Sequence, residues 1–244
     1  RRVGKKGVVL SHGVSSIGYA VDVVFAHGCW SAYAAADGLH RSIYSVLTAF
    51  YERTAGRFSK RLVCVSKAVA DAWVNYYEVN PRKISVLHNV VNYDIFRPDV
   101  NLDVSVKKKV EILFVGRLER SKGRDFILEL ADSLDEDWFL TICTPNTISS
   151  DDKRRLSFNQ RVRCLSGLNT EEMAFEYNAA TLMILPSKYE AFELCTLEAL
   201  ACGTPVLLNK TGTYPLLRSL ACPALNGIES CLSPRENVQR VLKN

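Results

Sequence analysis

The stretch Glu190-Ala-Phe-Glu-Leu-Cys-Thr-Leu-Glu198 begins and ends with a carboxylate. It follows the apolar run Thr181-Leu-Met-Ile-Leu-Pro186, and the pattern predicts a strand, then a loop that holds Glu190, then a helix that begins near Leu194. A helix N-terminus attracts anions, because its first N–H groups are unpaired and its dipole is positive there. The loop carboxylate can accept hydrogen bonds from hydroxyls. Together these features suit a sugar joined to a diphosphate.

The second half of the chain alternates apolar strands with helices. This alternation predicts a parallel sheet that helices cover on both faces. Ligands bind such sheets at the carboxyl ends of the strands, where Gly116, Thr144, Gly167 and Pro186 are expected to gather. The strands are predicted at 111–115, 138–143, 161–165, 181–185 and 205–208, and the helices at 123–134, 151–158, 170–179, 194–202 and 234–242.

A helix predicted at 42–58 dominates the first half. Its apolar residues recur at helical spacing and define one face, which we expect to pack against the core. The alternative, a basic helix lying on an anionic membrane surface, stays open. Further predictions are a helix at 67–77 capped by Ser66 and strands at 8–12, 21–26, 62–65 and 84–87. The apolar positions of the first helix are Ile43, Val46, Leu47, Phe50, Tyr51, Thr54 and Phe58.

Four blocks of the chain, in order, resemble the retaining glycosyltransferases of the GT-B fold, of the large family 4 type. Leu62-Val-Cys-Val-Ser-Lys67 resembles a strand of that family, and Ile84-Ser-Val-Leu-His-Asn-Val-Val-Asn-Tyr-Asp-Ile-Phe-Arg-Pro98 resembles the link between its two domains. Ile112-Leu-Phe-Val-Gly-Arg-Leu-Glu-Arg-Ser-Lys-Gly123 resembles its strand, loop and helix with an Arg and a Lys for the donor diphosphate. The opening stretch, Glu190 to Glu198, resembles its paired-glutamate signature.

The resemblance implies an α/β protein of the GT-B fold with two Rossmann-like domains. We expect a partial N-terminal domain on the acceptor side at 1–100 and a near-complete C-terminal nucleotide-sugar-binding domain at 101–244. The boundary is expected in the polar stretch 98–109. Because the first domain is short for this family and its glycine-rich loop has no clear match, we expect a truncated or incomplete copy.

Arg117 and Lys122 follow the strand that ends at Val115. Two cations there would stabilise the negative charge that builds on a departing diphosphate, without a metal ion. Taken singly, each would be expected on a solvated surface. Their position at the ligand edge of the sheet favours a catalytic role.

The resemblance also implies which residues meet the donor sugar. Glu190 would hold the sugar hydroxyls, helped by the backbone N–H groups of Ala191, Phe192 and Glu193. Glu193 stands where the family often has a small residue, so its side chain is expected to narrow the sugar pocket. His27, at the end of a predicted strand, would face the sugar from the first domain; a polar strand end is an equally good interpretation. His12-Gly13 is a second such pair with less support.

The nucleotide contacts are implied in the same way. The amides of Leu194 and Cys195 would meet phosphate, and Glu198 the ribose hydroxyls. The walls around the base are largely backbone and do not distinguish uracil from guanine. They are assigned to Leu168, after Gly167, and to the loop Thr144-Pro-Asn146, and Gly116 is a further expected contact of the nucleotide sugar.

Composition excludes several classes of protein. The net charge of +5 fits anionic partners but is too small to argue for nucleic acid. The eight cysteines include no Cys-x-x-Cys pair, which favours reduced thiols and a cytoplasmic location over a zinc site. No apolar run is long enough for a spanning helix. Asp135-Glu-Asp137 is expected to be a polar turn rather than a metal motif.

The function predicted from these features is transfer of a sugar from a UDP- or GDP-sugar to a glycan, lipid or small-molecule acceptor, with retention and without a metal or cofactor. A catalytically inactive GT-B domain that binds nucleotide or a partner protein is the alternative. A phosphorylase-like or sugar-phosphate synthase activity is a third. The acceptor and the oligomeric state do not follow from the sequence.

Overall fold

The computed structural model describes residues 7–15, 21–39, 42–100, 109–145 and 147–243. The chain forms two compact units. The N-terminal unit consists of the described part of Arg1–Asn89 together with Tyr189–Phe192. The C-terminal unit consists of the described parts of Val90–Lys188 and Glu193–Asn244.

The N-terminal unit is built on a parallel sheet with the strand order β1-β2-β3-β4. Its strands are β1 (Leu10–His12), β2 (Val23–Ala26), β3 (Arg61–Cys64) and β4 (Ile84–Val86). Its helices are α1 (Trp30–Asp37), α2 (Ile43–Phe58) and α3 (Lys67–Tyr77). Ser66 caps α3 as expected, since its hydroxyl accepts from the N–H of Val69 at 3.1 Å.

Helix α2 corrects the expectation about its apolar face. Ser45, Ala55 and Gly56 are its buried residues, whereas Ile43 is 80% exposed and Phe50 60% exposed. A Cβ atom on Gly56 would lie only 2.8 Å from ring atoms of Trp73, so α2 can approach α3 only through small residues. The spacing of the apolar residues therefore predicted the helix correctly but did not predict which of its faces is buried.

The C-terminal unit contains a fully parallel six-stranded sheet with the order β10-β9-β8-β5-β6-β7. Its strands are β5 (Val110–Val115), β6 (Trp138–Thr144), β7 (Val162–Ser166), β8 (Leu182–Leu185), β9 (Val206–Leu208) and β10 (Leu225–Gly227). Its helices are α4 (Arg124–Asp132), α5 (Ser150–Ser157), α6 (Thr170–Ala179), α7 (Leu194–Ala201), α8 (Tyr214–Ser219) and α9 (Pro234–Leu242).

This strand order places β5 between β6 and β8. The chain runs outward from β5 to β7 on one side and from β8 to β10 on the other, which is the order of a dinucleotide-binding α/β sheet. Connections at the carboxyl ends of β5 and β8 diverge and leave a crevice at that point. The expected parallel sheet and its ligand edge are thus present.

The predicted elements of the C-terminal unit all occur, and two of its helices have both of their predicted bounds. Helices α6 and α9 match 170–179 and 234–242, and a complete capping box, on Asn169 and on Ser233, fixes where each begins. The prediction missed α1, α8 and β10, which are too short to show a period. Within the described residues, no helix has both the length and the apolar character needed to cross a membrane.

The two units divide between Asn89 and Val90, earlier in the chain than the boundary expected at 98–109. The residues from Val90 to Asp99 therefore belong to the C-terminal unit and pack against the rest of it. Phe96 joins the core of that unit, and the side chain of Asn178 accepts from the N–H of Asp99 at 2.8 Å and donates to the carbonyl of Arg97 at 3.0 Å.

Gly123, just before α4, permits a close approach between two loops. It has φ +83°, and a Cβ atom there would lie 2.5 Å from the carbonyl oxygen of Pro186. Gly203 has a similar φ of +85°, but its nearest neighbour would be Pro98 at 3.8 Å. The Gly203→Ala variant should lose roughly 1–2 kcal/mol of unfolding free energy, the cost of left-handed backbone. The Gly123→Ala variant should lose clearly more in the same urea titration, and equal losses would contradict the close approach.

Candidate functional site

The loops after β5 and β8 meet at the crevice of the C-terminal unit. The N–H of Lys188 donates to the carbonyl of Ser121 at 2.9 Å, and Gly123 lies against Pro186. Ser121 is itself buried. The loop that carries the two predicted cations is therefore fixed to the loop that follows β8.

Arg117 and Lys122 lie on that first loop, at the carboxyl end of β5. The guanidinium of Arg117 forms an ion pair of 2.9 Å with Glu119, and its side chain is 48% exposed. Glu119 also accepts from the hydroxyl of Ser121 at 2.9 Å. Glu119 therefore restrains the guanidinium while leaving it accessible to an anionic ligand. The structure places both predicted cations in the same short loop.

Helix α7 begins at Leu194, where the sequence predicted, and the N–H groups of Leu194 and Cys195 belong to its first turn. Glu193 precedes the helix, and its side chain corrects an expectation. It is buried and turns towards Thr213, accepting from that backbone N–H at 3.0 and 3.1 Å and from the Thr213 hydroxyl. It also accepts from the hydroxyl of Thr196 at 3.3 Å. This side chain fastens the start of α7 to the loop after β9 instead of narrowing a sugar pocket.

Glu198, inside α7, is half-buried and accepts a hydrogen bond of 2.8 Å from the hydroxyl of Tyr177. Burial raises the pKa of Glu198 above its ordinary value, and the bond from Tyr177 offsets part of that rise. Tyr177 is fully buried, packs edge-on against Phe96, and orients the carboxylate. Sequence reasoning did not find Tyr177, because its position in α6 looks like an ordinary core residue.

The remaining predicted nucleotide contacts also lie at the ligand edge. Gly116 directly follows β5, and its N–H donates to the carbonyl of Cys143 at 2.9 Å. Gly167 and Leu168 directly follow β7, and Thr144 ends β6 in a buried position. Asn146 of the predicted base wall lies outside the described residues.

The loop Tyr189–Phe192, which carries Glu190, belongs to the N-terminal unit. The hydroxyl of Tyr189 accepts from the N–H of Cys29 at 3.2 Å, and the carbonyl of Ala191 accepts from the hydroxyl of Ser66 at 2.7 Å. The ring of Phe192 stacks on His88 at 5.3 Å. These contacts hold Glu190, Ala191 and Phe192 at the carboxyl ends of β2, β3 and β4.

The predicted His27 lies at the same edge of the N-terminal unit, directly after β2, and is exposed. Its Nε2 is 2.8 Å from Nδ1 of His12 at the end of β1. The structure thus joins the two strand-end histidines that sequence reasoning treated separately. Ser66 and His88 were not predicted as site residues; both fall inside motif blocks, but neither has a spacing that signals a role.

Asp135 is structural, as the sequence indicated. It lies in the turn before β6, at the opposite edge of the sheet, and binds Arg235 and Gln239 of α9, the latter at 3.1 Å. Among the described residues, no group of three or more His, Cys, Asp or Glu side chains is placed to hold a metal ion.

Comparison with known families covers both units. Residues 8–95 match the family described as glycosyltransferase family 4, and residues 101–218 match the family described as glycosyl transferases group 1. The chain belongs to the family 4 glycosyltransferases. The motif blocks at 62–67, 84–98, 112–123 and 190–198 all fall inside these two matches.

The family 4 chain is similar to curated members of the group. The D-inositol 3-phosphate glycosyltransferase of Mycobacteroides abscessus is 29% identical over 168 residues, which are 64% of this chain and 38% of that protein. The chain thus spans under two-fifths of the length of this relative.

Solved structures show the same GT-B fold. Sucrose-phosphate synthase from Thermosynechococcus elongatus superposes with a TM-score of 0.71 at 20% identity, over 93% of this chain and 59% of that one. HepE from Anabaena, solved in complex with UDP-glucose, superposes with a TM-score of 0.64 at 18% identity, over 80% of this chain and 55% of that one. The expected α/β architecture with parallel sheets is confirmed.

The raised pKa of Glu198 has a consequence for stability. The folded chain binds the Glu198 proton more tightly than the unfolded chain, so this carboxyl favours folding below its ordinary pKa and opposes it as pH rises through the folded-state pKa. The Glu198→Gln variant should therefore gain unfolding free energy relative to wild type between about pH 4 and about pH 7. Urea titrations at several pH values measure this difference.

Glu236 provides a control of opposite sign. Hydrogen bonds from the backbone N–H and the side chain of Ser233 lower the pKa of Glu236 in its capping box. The Glu236→Gln variant should lose stability relative to wild type as pH rises from about 2 to about 4.5, towards the ordinary pKa of a glutamate, and the loss should stay constant above that. The explanation fails if both variants change in the same direction.

Proposed function

We propose that this chain is the donor-binding part of a retaining, metal-independent glycosyltransferase that uses a nucleoside-diphosphate sugar. The observation that carries this proposal is the crevice between β5 and β8, where Arg117, Lys122 and the first turn of α7 occupy one edge of a parallel sheet. Cations and the backbone N–H groups at the start of a helix suit a diphosphate. HepE, which shares the fold, is known with UDP-glucose, and this supports a donor of the same class, either a UDP- or a GDP-sugar.

Each predicted site residue of the C-terminal unit has a role in this reaction. Arg117 and Lys122 stabilise the charge on the departing β-phosphate, which lets the bond between the sugar and the diphosphate break without a metal ion. The amides of Leu194 and Cys195 receive the phosphates. Glu198 accepts hydrogen bonds from the ribose hydroxyls, in the orientation set by Tyr177. Gly116, Gly167 and Leu168 line the nucleoside.

In the N-terminal unit, Glu190 and His27 are proposed to contact the donor sugar. The carboxylate of Glu190 accepts from sugar hydroxyls, beside the N–H groups of Ala191 and Phe192; the N–H of Glu193, the next residue in the chain, is proposed for the same role. The loop that carries Glu190 is held by Ser66 and Cys29, which supports a preorganised sugar contact. The acceptor is a glycan, a lipid or a small molecule, as the sequence predicted.

We also propose that the protein is cytoplasmic and touches the inner face of the membrane through α2. This helix exposes Ile43, Val46, Leu47 and Phe50 on one face, and Arg53 and Arg57 follow towards its C-terminal end. An exposed apolar stripe beside basic side chains suits the surface of an anionic bilayer.

Turnover of sugar nucleotides tests the activity directly. The chain, incubated with UDP- and GDP-sugars in EDTA, should bind one nucleotide diphosphate and slowly release sugar, and proton NMR should show that the anomeric configuration is retained. Binding without turnover of any sugar nucleotide would instead favour the inactive nucleotide-binding subunit. Loss of turnover in EDTA, restored by Mg²⁺ or Mn²⁺, would contradict metal independence.

The two cations should each matter strongly. Arg117→Ala and Lys122→Ala should each slow turnover by roughly a hundredfold and weaken nucleotide diphosphate binding, because each removes one stabiliser of the leaving group. Lys153→Ala, an exposed lysine of α5, is the matched control and should behave as wild type. Near-wild-type turnover in both crevice variants would refute the assignment.

Membrane contact can be measured with vesicles. The chain should sediment with vesicles that contain phosphatidylglycerol and much less with neutral phosphatidylcholine vesicles, since basic residues strengthen binding to anionic lipid. Phe50→Ser should weaken sedimentation several-fold, because Phe50 lies on the exposed stripe. Phe158→Ser, which replaces an even more exposed phenylalanine of the other unit, should leave sedimentation unchanged. Equal effects of the two substitutions would refute docking through α2.

A further inference from the structure

Two histidines meet edge to edge at the carboxyl ends of β1 and β2. Nδ1 of His12 lies 2.8 Å from Nε2 of His27, and the ring planes differ by only 12°. The ring centres are 5.1 Å apart, which exceeds the distance between the nitrogens by about the two ring radii. The hydrogen bond therefore lies in the plane of both rings. Parallel pairing of β1 with β2, in which His12 is opposite Phe25, brings the two strand ends together.

The second contact of His12 fixes its ring. Its imidazole stacks on Phe25 with ring centres 5.1 Å apart and an angle of 16° between the planes. Phe25 belongs to β2, which also leads directly to His27. His12 is thus restrained by packing on a residue of β2 while it hydrogen-bonds to the residue that directly follows that strand.

The direction of this hydrogen bond follows from the chemistry of imidazole. A bond between two imidazole nitrogens needs one donor and one acceptor. Neutral histidine prefers its proton on Nε2. If both rings adopt that tautomer, His27 Nε2–H donates and His12 Nδ1 accepts. The reverse bond would require the less favoured tautomer in both rings. The same arrangement leaves Nδ1 of His27 without a proton, as a hydrogen-bond acceptor.

We infer that His12 is a positioning residue that holds His27 in the tautomer and orientation whose Nδ1 accepts a hydrogen bond from a hydroxyl of the donor sugar. This inference rests on the proposed function, because the contact between His27 and the donor sugar is part of that proposal. His12 itself does not touch the sugar. His12 binds one ring nitrogen of His27, Nε2. The hydrogen bond at that nitrogen decides whether the other nitrogen, Nδ1, carries a proton.

A spectroscopic test needs no activity. In the chain labelled with ¹⁵N-histidine, the two nitrogens should show a scalar coupling across the hydrogen bond, and Nδ1 of His27 should have the chemical shift of an unprotonated nitrogen. His12→Phe keeps a ring against Phe25 but removes the acceptor, and His12→Asn keeps an acceptor oxygen near the position of Nδ1 but removes the ring. Absence of the coupling in wild type, or a protonated Nδ1 on His27, would overturn the inference.

Kinetics separate positioning from packing. His12→Phe should lower kcat for sugar-nucleotide turnover roughly tenfold, as expected for one lost neutral hydrogen bond, with KM changed by less than about twofold. His12→Asn should recover most of that loss. Greater impairment of His12→Asn than of His12→Phe would mean that ring packing matters, equal impairment would mean that the acceptor alone does not restore kcat, and unchanged kcat in both would mean that the bond has no role; each of these results overturns the inference. If wild type turns over no sugar nucleotide, the proposed function fails, and the inference is then decided by the NMR coupling alone.

Discussion

The parallel pairing of β5 with β6 on one side and β8 on the other is the constraint on which the C-terminal unit depends. It brings the loops after β5 and β8 to the same edge, and they fit together because residue 123 has no side chain to meet Pro186. The bond from Lys188 to Ser121 then fixes the loop of Arg117 and Lys122. The placement of both cations therefore follows from backbone packing more than from any contact of their own.

Glu193 and Glu198 lie in the same stretch of sequence, but their carboxylates have different surroundings. Glu193 is buried and bound to Thr213, so it contributes structure, and burying it is tolerable because hydrogen bonds replace its water. Glu198 is half-buried, its pKa is raised by burial, and its carboxylate accepts a hydrogen bond from Tyr177. A carboxylate held in that state opposes folding at neutral pH. Such a local cost is typical of a group retained for ligand binding.

In the N-terminal unit, small residues determine which face of α2 is buried. Gly56 lets α2 approach Trp73 of α3, and the helix buries its small residues Ser45, Ala55 and Gly56 while its large apolar side chains turn outward. An exposed apolar stripe of this kind usually marks an interaction surface. At the carboxyl ends of the strands in the N-terminal sheet, strand pairing brings His12 next to His27. Ser66 at the same edge binds the loop that carries Glu190. One parallel sheet thus organises the residues that are proposed to face the sugar, while the helix packed beside it presents the apolar surface.

The sequence by itself determined the local features: the alternation of strands and helices, the cations after β5, and the start of α7 at Leu194. Helices α6 and α9 begin where predicted because a capping box is closed by residues three positions apart. Tertiary structure alone decided which face of α2 is buried, that Glu193 binds Thr213, and that His12 meets His27. A periodic pattern fixes the spacing of a face but not its direction. Those outcomes depend on close contacts between segments that lie far apart in the chain, and no local pattern encodes them.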